Sequence, residues 1–184
     1  MAKRILATYA TREGQTARIV GVLASQMEAA GNVVETLDLG KLSAADPSGF
    51  DGVIVAGSVH AGKHEDEVSR FVKDHRDALA DRRTAFLSVS LSAAALEEEG
   101  QRRASEQVET FLSETGWQPD MVEKVAGAFR YSGFSRPWRW ILKLSNRLVR
   151  KELDREGWPQ LTDDREYTDW PALERFGERF LEEL

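Results

Sequence analysis

The residues Thr11-Arg12-Glu13-Gly14-Gln15-Thr16 bring two hydroxyls, a guanidinium and a glycine together in one short stretch. They follow an apolar run, Ile5-Leu6-Ala7, and precede Ala17 to Ala30, whose apolar residues recur at helical spacing. Where a strand hands over to a helix, the first four helical amides lack partners and the dipole adds about half a positive charge. A phosphate binds at such a place without needing a lysine. In this reading Thr11 and Thr16 donate hydroxyl hydrogen bonds, and Gly14 lets the backbone approach the ligand closely. Arg12 either pairs with the dianion or points into solvent. A plain structural turn is the competing reading of the stretch. The spacing is not Gly-x-x-x-x-Gly-Lys-Ser/Thr, and no Gly-x-Gly-x-x-Gly follows a strand. Both facts argue against a P-loop nucleotidase or a dinucleotide site.

Two further loops carry small and polar residues: Gly57-Ser58-Val59-His60-Ala61-Gly62-Lys63-His64 and Ser90-Leu91-Ser92-Ala93. Each follows an apolar run, so each is expected at the carboxyl end of a strand. Ser58, Val59, His60, Ala61 and Gly62 on one loop, and Ser90, Leu91 and Ser92 on the other, are candidates to flank a flat ring. His60 and His64 have the spacing of a ligand pair on a helix. No third ligand is evident and Gly62 argues for a loop, so no metal is expected. Neither loop contains an aromatic residue. A bound ring would then be open on one side to a planar substrate, unless Tyr131, Phe134 or Trp138 supplies a lid.

These loops need elements to hold them. Strands are expected at Arg4 to Tyr9, Asn32 to Leu37, Gly52 to Ala56, Thr84 to Val89 and Met121 to Phe129. Helices are expected at Gln15 to Ala30, Glu65 to Leu79, Gln101 to Thr115 and Asp169 to Leu184. The unbroken apolar run Gly52-Val53-Ile54-Val55-Ala56 suits a strand buried on both faces of a parallel sheet. The alternation predicts an α/β fold: a doubly wound five-stranded parallel sheet with helices on both faces. One domain is expected over 1–184, with an insertion at about 130–168 before the last helix. In such sheets ligands sit beyond the carboxyl ends of the strands.

The 184 residues are 41% hydrophobic and 30% charged, with no cysteine. That composition excludes disulfides, thiolate metal sites and cysteine nucleophiles, so redox chemistry must come from a bound cofactor. No apolar run is long enough to cross a membrane. The N-terminus lacks the h-region and cleavage site of a signal peptide, and a cytoplasmic location is expected. Net charge is −6, but residues 130–151 hold seven basic side chains and no acidic one. On a helical wheel Arg136, Arg139, Lys143, Arg147, Arg150 and Lys151 fall within about 120°. Trp138, Ile141 and Leu148 lie opposite. A basic amphipathic helix with tryptophans reads as an anchor on anionic lipid, peripheral on the inner face of the cell membrane. A helix docked on the protein with its basic face in water is the alternative. Nucleic acid is not expected, because the rest of the chain is acidic.

The order and spacing of these motifs resemble the flavodoxin-like superfamily. Within it the chain is more closely similar to the menaquinone-dependent protoporphyrinogen IX dehydrogenases. The likeness is carried by residues 11–16, 57–64 and Phe71-Val72-Lys73-Asp74-His75. It continues in Ala126-Gly127-Ala128-Phe129-Arg130-Tyr131 and Tyr167-Thr168-Asp169-Trp170. The Gly-Gly-x-Thr-Asp segment that this family places before its final Tyr-Thr-Asp-Trp is missing. The resemblance implies non-covalent FMN, with its phosphate at Thr11, Arg12, Gly14, Gln15 and Thr16. It implies a quinone and a porphyrinogen as substrates in haem biosynthesis. Arg130 and Tyr131 become candidates for substrate or flavin-edge contacts, and Arg136, Arg139, Lys143 and Arg147 for substrate carboxylates or lipid. A flavodoxin-like electron carrier or quinone reductase with another partner is the alternative activity. A flavin-free scaffold is the alternative from another class. A homo-oligomer is left open.

Overall fold

Three strands carry apolar side chains on both faces and therefore belong inside the molecule: β1 (Arg4–Ala10), β3 (Gly52–His60) and β5 (Arg83–Ser90). A computed structural model describes residues 1–41, 46–129 and 164–184. It places these strands at the centre of a parallel sheet ordered β2-β1-β3-β5-β6. The edges are β2 (Val33–Asp38) and β6 (Met121–Ala126). All four pairings in this row are parallel.

Side-chain alternation sorts the core into two layers. Leu6, Val53, Val55 and Phe86 face one layer, completed by Val68 and Phe71 of α2 (Asp66–Asp74) and Phe111 of α4 (Glu98–Thr115). Ile5, Ile54, Ala56 and Leu87 face the other. There they meet Ile19, Leu23 and Met27 of α1 (Gln15–Ala29), and Phe176 and Phe180 of α5 (Trp170–Glu182). Burying each large side chain contributes about 1.5–3 kcal/mol. A one-residue slip in any central strand would send its side chains to the wrong layer. The register is thereby fixed, and the carboxyl ends of β1, β3 and β5 come level with one another.

The expected doubly wound five-stranded sheet is observed, with additions. β3 runs four residues past Ala56, because its ladder with β5 continues to Ser58 opposite Val89. It then turns through Ala61 and Gly62, both at positive φ (49° and 84°), into β4 (Lys63–His64). Two-residue turns with two positive φ angles match the twist of a hairpin. The helix expected over 65–79 breaks at His75, where φ is −115°, and α3 (Arg76–Ala80) follows. The last parallel strand stops at Ala126. Beyond Gly127, β7 (Ala128–Phe129) pairs antiparallel with β8 (Arg165–Glu166). β7 and β8 stand on either side of residues 130–163, where most of the expected insertion falls and which lie outside the described residues. Asp169 caps α5 by accepting from the Ala172 N–H at 2.9 Å. Among the described residues, no helix is long and apolar enough to cross a membrane.

Candidate cofactor-binding site

Strand order reverses at β1, with β2 on one side and β3 on the other. A crevice opens at such a switch point because the flanking connections leave in opposite directions. Here a cavity of about 230 Å3 lies beyond the carboxyl ends of β1, β3, β5 and β6. Thr11, Arg12, Glu13, Gln15 and Thr16 line one end of it. Ser58, Val59, His60 and Ala61 form one wall, and Val89, Ser90, Leu91, Gly127 and Ala128 form the rest.

The α1 end is built to receive an anion. The first i→i−4 bond is from the Arg18 N–H to the Gly14 carbonyl, 3.1 Å. The preceding helical amides, those of Gln15, Thr16 and Ala17, have no intrahelical acceptor. No acidic residue stands in the first turn to neutralise them. The Gly14 N–H donates to Thr11 Oγ1 at 3.0 Å, which leaves the Thr11 hydroxyl proton free for a ligand. Thr16 Oγ1 is buried and makes no hydrogen bond. An unmet buried hydroxyl costs about 1–3 kcal/mol, and an acceptor in the cavity removes that cost. Glu13 brings one carboxylate to the same lining.

Three residues of this loop are held by the backbone or by partners elsewhere in the chain. Gly14 has φ +85°, and a Cβ there would meet nothing within 4 Å. The left-handed backbone by itself calls for glycine here. Arg12 lines the cavity, and its Nε donates to Glu65 Oε2 at 3.0 Å. The Gln15 carboxamide is also committed. It donates to Glu166 Oε1 and to Thr168 Oγ1, both at 2.9 Å. Thr168 in turn donates to the Ala126 carbonyl at 2.8 Å. Arg18 completes the clamp by donating to Glu166 Oε2 at 2.7 Å. The hydrogen bond from Gln15, then that from Arg18, hold the Glu166 carboxyl below its usual pKa.

The walls are small and mostly apolar. No Phe, Tyr or Trp occurs among the described lining residues, and His60 is the only ring. Gly62 lies in the hairpin turn and Ser92 in a short 3-10 turn (92–94), and neither lines the cavity. Ser92 Oγ accepts from Gln107 Nε2. His64 points the other way from the rim. It is 7% exposed, with ring centroids 5.1 Å from Phe86 and 4.8 Å from Phe111. Its Nε2 lies 2.9 Å from Ser88 Oγ. Burial pushes its pKa down to about 4. A core role thus separates His64 from His60. Arg130, Tyr131, Arg136, Trp138, Arg139, Lys143 and Arg147 lie outside the described residues.

Sequence reasoning missed Glu13, Val89, Gly127 and Ala128. Gly127 had a signal: it interrupts the last strand at the level where a doubly wound sheet meets its ligand. Its N–H donates to the Ser90 carbonyl at 3.0 Å and its carbonyl accepts from Tyr167 at 3.1 Å.

A family model described as a flavodoxin domain matches residues 6–155. The chain belongs to the flavodoxin domain family. Among similar proteins, the protoporphyrinogen IX dehydrogenase [quinone] of Escherichia coli K12 is 29% identical over 176 residues, covering 94% of this chain and 92% of that protein. A Leishmania major protein of the same name is 28% identical, covering 96% of this chain and 74% of the relative. Among solved structures, oxidised flavodoxin 2 of Bacillus cereus superposes with TM-score 0.56 at 18% identity, covering 98% and 99% of the two chains. Streptococcus pneumoniae flavodoxin gives 0.53 at 16%, with the same coverage. The cofactor of this flavodoxin domain is FMN. The site fits it: open amides and an unmet Thr16 hydroxyl suit the phosphate, and two small-residue walls suit a flat ring. The protein is a flavodoxin-like FMN oxidoreductase.

Proposed function

We propose that this flavodoxin domain oxidises protoporphyrinogen IX to protoporphyrin IX, with a membrane quinone as acceptor, in haem biosynthesis. The observation that carries the proposal is the 29% identity over 94% of the chain to the E. coli dehydrogenase. The porphyrinogen gives up six electrons and six protons in three rounds. Three quinones take them up and leave as quinols, so the balance closes without oxygen. FMN supplies the two-electron chemistry that no side chain here offers.

The chain's own share is binding and orientation. The Thr11 and Thr16 hydroxyls and the amides of Gln15, Thr16 and Ala17 hold the phosphate. Val59, His60 and Ala61 flank one side of the ring, with Ser90 and Leu91 across from them. Gly127 and Ala128 add little side-chain bulk to the cleft, which leaves a ring face accessible to a tetrapyrrole. Arg130 and Tyr131 contact the substrate or the ring edge. The basic residues of 136–151 rest on anionic lipid, each contributing about 1 kcal/mol near the surface, and bring the cleft to the quinone.

The test is anaerobic turnover of protoporphyrinogen with a quinone analogue, read by porphyrin fluorescence. Growth of fluorescence that depends on both FMN and quinone is the expected outcome. A yellow protein that reduces quinone with another donor but leaves porphyrinogen unchanged would make it an electron carrier or quinone reductase. A colourless protein that takes up no FMN would end every flavin reading. Sedimentation with anionic vesicles at low salt tests the lipid contact, and failure to sediment rules it out.

A further inference from the structure

We propose that Glu65 is a positioning residue that ties the two loops of the cofactor cleft together before any ligand enters. The proposal rests on the reading of the cavity as an FMN site. Glu65 is the last residue before α2 and is only 6% exposed. Its carboxylate spans two chain segments. Oε2 accepts from Arg12 Nε at 3.0 Å, in the loop between β1 and α1. Oε1 accepts from Ser58 Oγ at 3.1 Å, in the opposite wall. The Glu65 N–H also donates to the Ser58 carbonyl at 3.3 Å. Both the hydroxyl and the carbonyl of Ser58 are therefore drawn toward Glu65.

Helix capping does not account for this carboxylate. Glu65 stands at the N-cap of α2 but makes no side-chain cap bond. The helix start is already served by Asp66 and Glu67 in its first turn. Burial does not account for Arg12 either, since its side chain is 64% exposed. A carboxylate this buried needs charged or hydrogen-bonding partners, and here those partners are the two sides of the cleft. One side belongs to the phosphate end and the other to the ring wall. A cleft held in its binding geometry loses less freedom when the ligand arrives. Arg12, in this arrangement, serves the phosphate by fixing the loop, while neutral hydroxyls and amides make the contacts.

The test compares Glu65→Ala and Glu65→Gln in the wild-type background and in the Arg12→Ala/Ser58→Ala background. FMN and riboflavin are titrated separately, and amide exchange is followed in the apoprotein. In the wild-type background Glu65→Ala weakens FMN about tenfold, and apo exchange at residues 58–61 speeds up by a similar factor. Glu65→Gln keeps an acceptor for Ser58 and loses the charge facing Arg12. It costs about threefold toward FMN, less toward riboflavin, and leaves exchange at 58–61 near wild type. With Arg12 and Ser58 already removed, Glu65→Ala adds less than about twofold, the mark of residues acting as one unit. The same loss in both backgrounds, or FMN affinity indifferent to Glu65, overturns the proposal. Wild-type protein that takes up no FMN counts against the cofactor reading alone, and apo exchange then decides the role of Glu65 by itself.

Discussion

At the scale of single residues, Thr16 responds most directly to what the cleft holds, because its buried hydroxyl has no partner among the described residues. Thr16→Val keeps the shape and removes the donor. A hydrogen bond to a charged group contributes about 1.5–3 kcal/mol, so FMN affinity should fall at least about tenfold in a fluorescence titration. Stability of the apoprotein in urea should hold or rise, since an unmet polar atom is gone. A variant that binds FMN as tightly as wild type would remove Thr16 from the phosphate site. The residue types of this loop were readable from sequence: hydroxyls and a glycine at a helix start are a local pattern. Their partners were not. Arg12 finds Glu65 across 53 positions and Gln15 finds Glu166 across 151. Such pairings are made by the sheet bringing loops together, and no local spacing announces them.

At the scale of elements, the β3–β4 hairpin depends on His64. The imidazole packs at a tilt against the stacked rings of Phe86 and Phe111 and is bonded to Ser88, so the wall that carries Val59 and His60 is pinned to β5. Gly57 is part of the same fit, because a Cβ there would come within 3.2 Å of the His64 ring. The folded protein keeps His64 neutral down to about pH 4, against an ordinary value of 6.5. Between those values the unfolded chain binds a proton that the folded chain refuses. Stability is therefore lost as pH falls from about 6.5 toward 4, by about 3 kcal/mol in full and about 2 kcal/mol by pH 5. His64→Phe abolishes this slope. Urea unfolding at pH 7.5 and pH 5 should show the gap between the two proteins shift by about 2 kcal/mol in favour of the variant at acid pH. An unchanged gap would mean that His64 titrates normally. The hairpin was hidden from sequence because Ala61-Gly62 is a poor advertisement for a turn with two positive φ angles. The five parallel strands were plain, since buried strands write themselves as apolar runs. The break at His75 left the helical apolar spacing intact, so periodicity carried across it.

At the scale of the whole molecule, charge and topology divide the labour. The chain is acidic overall, yet residues 130–151 are wholly basic, so a vesicle that attracts this stretch is repelled by the remainder. Binding to anionic vesicles should be strong at low ionic strength and lost near 0.5 M salt, where the screening length is only about 4 Å. Reversing Arg139, Lys143 and Arg147 to Glu should abolish sedimentation at any salt. The two-residue pairing of β7 with β8 has a further consequence. Ala128 stands opposite Glu166 and Phe129 opposite Arg165, so everything between them passes through a single doorway. The β8 side is bolted to α1 by Gln15 and Arg18, which both donate to Glu166. A short Asn-Gly bridge across the jambs, in place of 130–164, would leave each strand of the main sheet beside its neighbours. Such a shortened protein should still turn yellow with FMN while no longer settling on vesicles. Colour kept while settling is lost would assign the removed stretch to the lipid surface and leave the flavin to the sheet and its loops.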